Sequence, residues 1–412
     1  MSWLQDITSR LAAAAADPEP LADGGRRWHP MSIADGYVGL ALVFAGSDNP
    51  ADRATAHRLL LRGVRSAHPA HESVFDGLPA VALAGRMLAR TPGDYAKLLS
   101  SADNATIRIA ERLLATEEER LASGRSGVRM QHYDVSFGLA GLGRVLLADV
   151  EQHRAVLERT LRYLVRLIEP VTPGRRPVPG WWTPDPAVLN DPVAAARGHL
   201  NPGLAHGIAG PLALLALAAT AGVEVTGQRA AVARIAEWLL ARRGYDEYGP
   251  YWPAVVPLEY EERGSVRGLP PSRVAWCYGA PGIARALQLA ARAYAEPAWE
   301  RAALTTLTAA LARPWSTTGI RDASLCHGSA GVLHVLSLVA RDAASPTAIE
   351  PLTRRVRAHL NTFVDPESRF DVRTTPAHWA GVLDGAAGVA LVLRGTPPAA
   401  TTLTWDAALL LA

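Results

Sequence analysis

The chain contains only two cysteines, and each lies two residues before the first glycine of a G-x-x-G motif. Cys277 precedes Gly279, and Cys326 precedes Gly328 with His327 between them. Thiolate sulfur and imidazole nitrogen are preferred ligands of zinc. Because 412 residues hold no other thiol, the shared position indicates that both cysteines serve one metal site. Three protein ligands leave a fourth coordination position for water or substrate, which is typical of catalytic zinc.

Two further residues near such motifs could take part in proton transfer. His206 precedes another G-x-x-G motif and has no neighbouring cysteine, so it is better suited to acid–base work than to metal binding. Asp134 lies four residues before Gly138 and could orient His206 or tune its pKa. Arg273 lies four residues before Cys277 and could stabilise a developing oxyanion, with a surface ion pair as the alternative. A core position is the alternative for any single cysteine or histidine, and only their joint pattern favours a site.

These residues occupy equivalent positions in a sevenfold repeat. Copies of G-x-x-G start at Gly36, Gly77, Gly138, Gly207, Gly279, Gly328 and Gly385, spaced by 41 to 72 residues. In the second copy Ala80 replaces the last glycine. Each copy is followed by an apolar run that favours a helix. Between the copies lie amphipathic segments with apolar residues at three- and four-residue spacing, at residues 53–65, 106–119, 155–168, 229–242 and 352–363.

Each repeat therefore predicts one small-residue inner helix and one amphipathic outer helix. Seven such pairs predict an all-α fold, a closed α/α toroid of seven inner and seven outer helices. The repeats extend over about residues 35–388, within a single domain of residues 1–412. An open solenoid is the alternative, but its repeats are usually more uniform in length. The paired glycines are expected to let inner helices pack closely at a narrow axis, and a closed ring would bring the zinc-binding candidates together at one rim.

The residue directly before the first glycine is polar or aromatic in every repeat: Asp35, Asp76, Phe137, His206, Tyr278, His327 and Asp384. For the three aspartates we expect a helix-capping role. Two connections are long, at about residues 169–202 and 246–271. The first contains Trp181 and Trp182, and the second contains residues 255–256 and 258–260, which predict short strands. Both are expected to cover one end of the toroid, with a disordered surface loop as the alternative.

Composition excludes several classes of function. The net charge is +3 and Lys97 is the only lysine among 42 basic residues, so no basic run with interleaved aromatics predicts nucleic-acid binding. The N-terminus lacks the pattern of a signal peptide. The longest apolar stretch, residues 208–223, is shorter than the roughly 20 residues that span a membrane, and predicts a buried helix. Two unpaired thiols fit a reducing compartment, so we expect a cytoplasmic protein that does not span a membrane.

Four motifs resemble those of the lanthionine synthetase C-like family, the lantibiotic cyclases. They are SRVAWCYGAPG from Ser272, CHGSAG from Cys326, AHGIAG from Ala205 and YDVSFGLAG from Tyr133. The glycine repeats extend the resemblance over most of the chain. Because no dehydratase or kinase domain precedes them, the resemblance is to a stand-alone cyclase. The sequence departs from the family pattern at Ala80, which replaces a glycine, and its long insertions do not align with the family.

The resemblance implies an α/α toroid that holds one Zn²⁺ per chain. By matching motifs, the zinc ligands would be Cys277, Cys326 and His327. The acid–base residues would be His206 and Asp134. The remaining active-site pattern falls on Arg273, Trp276 and Tyr278, with Tyr278 and Arg273 among the catalytic residues and Trp276 in contact with substrate.

The family's chemistry implies a Michael-type addition within one peptide. Zinc binds a substrate cysteine and removes its proton, and the thiolate adds to the β-carbon of a dehydroalanine or dehydrobutyrine. The enolate then takes a proton from His206, which leaves a lanthionine or methyllanthionine thioether ring. The implied partners are a dehydrated precursor peptide with its leader, a dehydratase and an exporter, as in antibiotic biosynthesis.

Two other functions fit part of the pattern. One is zinc-dependent thiol alkylation, as in protein prenylation. That reaction typically needs an aspartate ligand and a basic diphosphate pocket, and the sequence has no such basic cluster. The other is a non-biosynthetic lanthionine synthetase C-like protein that binds glutathione or peptide thiols.

Overall fold

Helices make up most of the chain, and its strands are short. The computed structural model describes residues 3–17, 28–66, 72–91, 93–186, 196–343, 346–365, 369–370, 380–395 and 403–412. Contacts within the chain define two compact units. The first contains Met1–Thr106 and Ile320–Ala408, and the second contains Ile107–Gly319 and Leu409–Ala412. The organisation of residues 1–412 as a single domain stays a prediction.

The described helices, in chain order, are α1 (Trp3–Ala16), α2 (Tyr37–Ala45), α3 (Pro50–Arg65), α4 (Leu78–Leu88), α5 (Ala96–Ala122), α6 (Met130–Tyr133), α7 (Leu139–Leu146), α8 (Val150–Arg166), α9 (Ala209–Thr220), α10 (Gln228–Ala241), α11 (Leu258–Arg263), α12 (Ala280–Tyr294), α13 (Pro297–Ala312), α14 (Trp315–Thr318), α15 (Ser329–Asp342), α16 (Glu350–Asn361) and α17 (Ala386–Arg394). Short 3₁₀ turns cover Leu147–Asp149, Pro346–Ala348 and Trp405–Leu409. The strands are β1 (His199–Leu200), β2 (Gly244–Asp246), β3 (Gly249–Tyr251), β4 (Val256–Pro257), β5 (Val364–Asp365) and β6 (Arg369–Phe370).

Seven helices begin at the repeated glycine motif, as the sequence predicted. We call them the glycine helices: α2, α4, α7, α9, α12, α15 and α17. In six of them the first glycine of the motif is the N-cap residue, and α9 begins two residues after Gly207. These helices are almost wholly buried, and in α9 every residue from Ala209 to Ala216 is buried. Their small apolar side chains suit a helix that is enclosed on all sides.

The amphipathic helices also match the predicted segments. In the first unit α3 packs against α2, and α16 packs against α15. In the second unit α8 packs against α7, and α10 packs against α9. The sequence analysis did not name α13, which packs in the same way against α12. Each pair buries one apolar face of the amphipathic helix, and this burial is the main source of its stability.

The repeated glycines are needed for a reason that differs from the predicted one. A Cβ atom on Gly331 would overlap the carbonyl oxygen of Leu325. On Gly39, Gly282 and Gly388 it would likewise overlap the carbonyl six residues earlier. In these four repeats the second glycine therefore makes room for the loop of its own repeat, which folds back over the first turn of the helix. For these four glycines the expectation that they serve close packing between helices is wrong, because the nearest atoms belong to loops.

The two long insertions pair with each other in the second unit. Strand β1 of the first insertion is antiparallel to β4 of the second, with His199 opposite Pro257. Strands β2 and β3 form a hairpin. The prediction of a strand at residues 255–256 is confirmed in part by β4, but that at residues 258–260 is wrong, because Leu258 begins the short helix α11. Trp181 and Trp182 are buried, so this part of the insertion is packed. Residues 187–195 of the first insertion lie outside the described residues. That the two insertions cover one end of the toroid stays a prediction.

The longest apolar stretch of the sequence forms α9, a buried helix, as expected. Among the described residues, no helix has the length and apolar character that crossing a membrane requires.

Candidate active site

In the second unit, a repeated pair of backbone hydrogen bonds joins the loops that precede the glycine helices. The N–H groups of Leu204 and Ala205 both donate to the carbonyl oxygen of Cys277, each at 3.2 Å. The N–H groups of Val135 and Ser136 donate in the same way to the carbonyl oxygen of Ala205. Three loops from distant parts of the sequence are therefore held in one register. This register brings Asp134, His206 and Cys277 into neighbouring positions.

His206 and Asp134 form a close pair, as the sequence analysis expected. Nδ1 of His206 lies 2.7 Å from Oδ2 of Asp134. The other carboxylate oxygen accepts the N–H groups of Phe137 and Gly138 at 2.7 and 2.9 Å. Asp134 is completely buried, so its orientation is fixed by three hydrogen bonds. Since a carboxylate can only accept, Nδ1 of His206 donates. Nε2 is then the ring nitrogen available for proton exchange with a substrate.

The pKa of His206 is raised above the ordinary histidine value. Burial acts against the charged imidazolium, but the hydrogen bond to Asp134 and the charges of Asp134 and Cys277 outweigh it. An imidazole with a raised pKa keeps its proton to higher pH than an ordinary histidine, and the protonated ring is the state that a general acid requires.

Two aromatic rings flank His206. Phe137 stacks with a centroid separation of 6.1 Å, and Tyr278 is tilted at the same separation. The Tyr278 hydroxyl accepts a hydrogen bond from the Asn201 amide at 3.4 Å, and burial raises the pKa of Tyr278, so the hydroxyl stays protonated. Phe137 is 50% exposed. No role was predicted for Phe137 from the sequence, although its position directly before the first glycine of a repeat could have pointed to one.

The other predicted site residues of the second unit are Arg273, Trp276 and Cys277, which are near one another in sequence but differ in burial. Cys277 is buried. Trp276 is only 2% exposed, and its indole N–H donates to the carbonyl of Leu409 at 3.1 Å. The indole is therefore packed within the second unit, and the predicted contact of Trp276 with substrate stays a prediction. Arg273 is half-buried, and its charge acts against the rise in the pKa of Tyr278.

In the first unit, Cys326, His327 and Asp384 could hold a metal ion. One potential ligand atom from each lies within 4.8 Å of the others. Nδ1 of His327 is 3.5 Å from Oδ1 of Asp384, and Nε2 is 3.6 Å from Oδ2 of Asp322. Sulfur, nitrogen and carboxylate oxygen are the atoms that bind zinc in proteins, so the donor set fits this metal. Cys277 belongs to the second unit, and its place among the ligands stays a prediction.

The predicted capping role of three aspartates is wrong. The N-cap residues of α2, α4 and α17 are Gly36, Gly77 and Gly385, and no side chain caps these helices. Asp35, Asp76 and Asp384 each lie one residue further out. Instead of capping, the carboxylate of Asp76 faces His29 at 3.7 Å, and that of Asp384 faces His327.

Comparisons with known proteins agree with the fold. A family model described as "Lanthionine synthetase C-like protein" matches residues 27–409. No curated protein matches the chain. Among solved structures, nisin cyclase is similar, with a TM-score of 0.79 and 20% sequence identity over 99% of this chain and 98% of that chain. This likeness confirms the predicted fold class. Because the family model covers nearly all of the sequence, the chain belongs to the lanthionine synthetase C-like family.

Proposed function

We propose that this protein is a zinc-dependent lanthipeptide cyclase, which joins cysteine thiols of a peptide to its dehydroalanine or dehydrobutyrine residues. The observation that carries the proposal is the His206–Asp134 pair, at 2.7 Å with a raised histidine pKa. Membership of the family supports it. The name of the similar structure, nisin cyclase, supports the same class of reaction.

The acid–base step would use His206 as proton donor. The substrate thiolate attacks the β-carbon of the dehydroamino acid, a carbon–sulfur bond forms, and the π electrons move into an enolate. Nε2 of His206 then gives its proton to the α-carbon, and solvent restores that proton. Asp134 holds Nδ1, so it fixes the direction of Nε2 and stabilises the imidazolium between turnovers. General acid catalysis of this kind typically contributes ~10²- to 10⁴-fold to the rate.

Other residues of the second unit would bind and polarise the peptide. Tyr278 keeps its hydroxyl proton because burial raises its pKa, so it would act as a neutral hydrogen-bond donor. Arg273 would place positive charge near the enolate oxygen. Phe137, half exposed beside His206, would contact an apolar part of the substrate.

Cys326 and His327 would hold the zinc ion, because their donor atoms cluster in the first unit. We include Cys277 on the basis of the sequence pattern that it shares with Cys326. Bound zinc would supply a positive charge that favours the thiolate form of a substrate cysteine. The dehydroamino acids of the substrate would come from a dehydratase that acts on serine and threonine.

The proposal is tested with a dehydrated peptide that contains cysteine. Cyclisation leaves the peptide mass unchanged, so remaining thiols are counted by alkylation and mass spectrometry. We expect the protein to accelerate thiol loss and to produce one ring pattern, and chelation of zinc should abolish the acceleration. Equal rates and identical ring patterns with and without the protein would contradict the proposal.

A further inference from the structure

We propose that Asp384 binds the metal ion together with Cys326 and His327. This inference rests on the zinc site of the proposed function: beside Cys277, Cys326 and His327, Asp384 would fill the fourth coordination position while no peptide is bound, and a substrate thiol would replace it. The three residues come from two loops of the first unit, and their potential ligand atoms lie within 4.8 Å of one another.

The backbone fixes Asp384 beside this pair. The N–H groups of Leu325 and Cys326 donate to the carbonyl oxygen of Leu383 at 3.1 and 2.8 Å. His327 follows Cys326, and Asp384 follows Leu383. Both residues lie directly before the first glycine of a glycine helix. The two side chains therefore face each other as a consequence of loop register, and their proximity does not depend on a chance surface contact.

The separation between the two side chains suits a shared metal ion. Nδ1 of His327 and Oδ1 of Asp384 are 3.5 Å apart, longer than the 2.7–3.2 Å of an ordinary N–H···O hydrogen bond. Zinc binds histidine nitrogen and carboxylate oxygen at about 2.0–2.1 Å in tetrahedral geometry. Two such ligands lie roughly 3.4 Å apart by the same geometry, close to the observed distance.

The opposite edge of the His327 ring already faces a carboxylate. Nε2 is 3.6 Å from Oδ2 of Asp322, whose Oδ1 accepts the N–H of Ser324 at 2.8 Å. A metal-binding histidine commonly turns its second nitrogen toward such a carboxylate, which fixes the ring and the tautomer. The Asp322 carboxylate thus lies on the Nε2 side of the ring, and the Asp384 carboxylate lies on the Nδ1 side. This placement leaves Nδ1 as the nitrogen that would share a metal ion with Asp384.

The test measures metal binding by the full chain in the absence of peptide. Zinc affinity is determined by competition with a chromophoric chelator, and the Co²⁺-substituted protein gives an absorption spectrum that reports its ligands. For Asp384→Ala we expect at least ~10-fold weaker zinc binding, because mutation of residues that only hydrogen-bond to metal ligands already lowers metal affinity by about that factor. For Asp384→His we expect affinity close to wild type with a shifted cobalt spectrum. A role limited to negative charge would not be rescued by neutral histidine.

Asp76→Ala is the matched control. Asp76 occupies the same position before a glycine helix in the first unit, but its carboxylate faces His29, so zinc affinity should not change. Circular dichroism confirms that each variant folds. Unchanged affinity and an unchanged cobalt spectrum in Asp384→Ala would overturn the inference and leave the cyclase proposal intact. Failure of the wild-type protein to bind zinc would instead contradict both.

Discussion

Asp134 has two tasks at the level of single residues. One oxygen accepts two backbone N–H groups of the loop before α7, and the other holds His206. The carboxylate of Asp134 therefore stabilises the loop and also orients His206. This double use explains why a completely buried acid is tolerated, because each oxygen has hydrogen-bonded partners that offset the cost of removing it from water.

Replacement of Asp134 by asparagine should lower the pKa of His206. Burial acts to lower that pKa, whereas the bond and charge of Asp134 raise it. Loss of the carboxylate charge and of its hydrogen bond should therefore leave burial as the main influence and lower the pKa of His206. The proton donor is lost as pH rises through this pKa, so the fall in cyclisation rate should move to lower pH. The measurements are a pH–rate profile and an NMR titration of the ring, and an unchanged pKa would refute the assigned role.

The sequence could predict His206, Asp134 and the Cys326–His327 pair, because each lies at a fixed offset from a glycine motif. It did not predict the position of Asp384 beside His327. That proximity depends on hydrogen bonds between loops distant in sequence, and these leave no local pattern. The burial of Trp276 was missed for a similar reason, since its partner is the distant carbonyl of Leu409.

At the level of elements, the glycine helices are positioned by the loops that precede them. In four repeats the loop folds over the first helical turn, and the second glycine lets a loop carbonyl approach. In the sixth repeat the same loop carries Cys326 and His327. Helix, glycine and site residues thus form one local unit. The repeated G-x-x-G motif predicts the seven helices. It does not reveal which atoms lie against the glycines, so helix–helix packing was the expectation.

Gly331→Ala should therefore be strongly destabilising. Its Cβ would overlap the backbone oxygen of Leu325, which cannot move without displacing Cys326. We expect a loss of about 3 kcal/mol or more in unfolding free energy, in the range of severe steric substitutions, together with weaker zinc binding. Urea denaturation and chelator competition measure the two effects.

Gly93→Ala is the matched control for this substitution. A Cβ on Gly93 would meet no atom within 4 Å, so we expect less than about 1 kcal/mol of change. Comparable denaturation midpoints for the two variants would show that the loop does not need a glycine at position 331.

At the level of the whole molecule, a buried histidine should make stability depend on pH. His199 lies on β1, which pairs the two insertions, and is completely buried. Burial lowers the pKa of His199 to about 4, although the charge of Asp185 acts the other way. The unfolded chain takes up this proton near the ordinary value of 6.5, whereas the folded chain does not. Stability is therefore lost as pH falls from about 6.5 toward 4, on the order of 3 kcal/mol.

His199→Gln should reduce this loss, because glutamine does not titrate. The test compares urea denaturation midpoints at pH 7 and pH 4.5 for both proteins. The control is His57→Gln, since His57 is exposed. An equal drop between the two pH values in wild type and His199→Gln would contradict the assignment.

The central claim is that the protein forms thioether rings with His206 as proton donor. Its most direct test is the initial rate of thiol loss from a dehydrated, cysteine-containing peptide, measured for wild type and His206→Ala at equal zinc content. We expect full zinc occupancy in both proteins and a rate reduced by ~10²-fold or more in the variant, toward the rate without protein. A wild-type rate equal to that of the peptide without protein would contradict the claim, as would an undiminished rate in the variant.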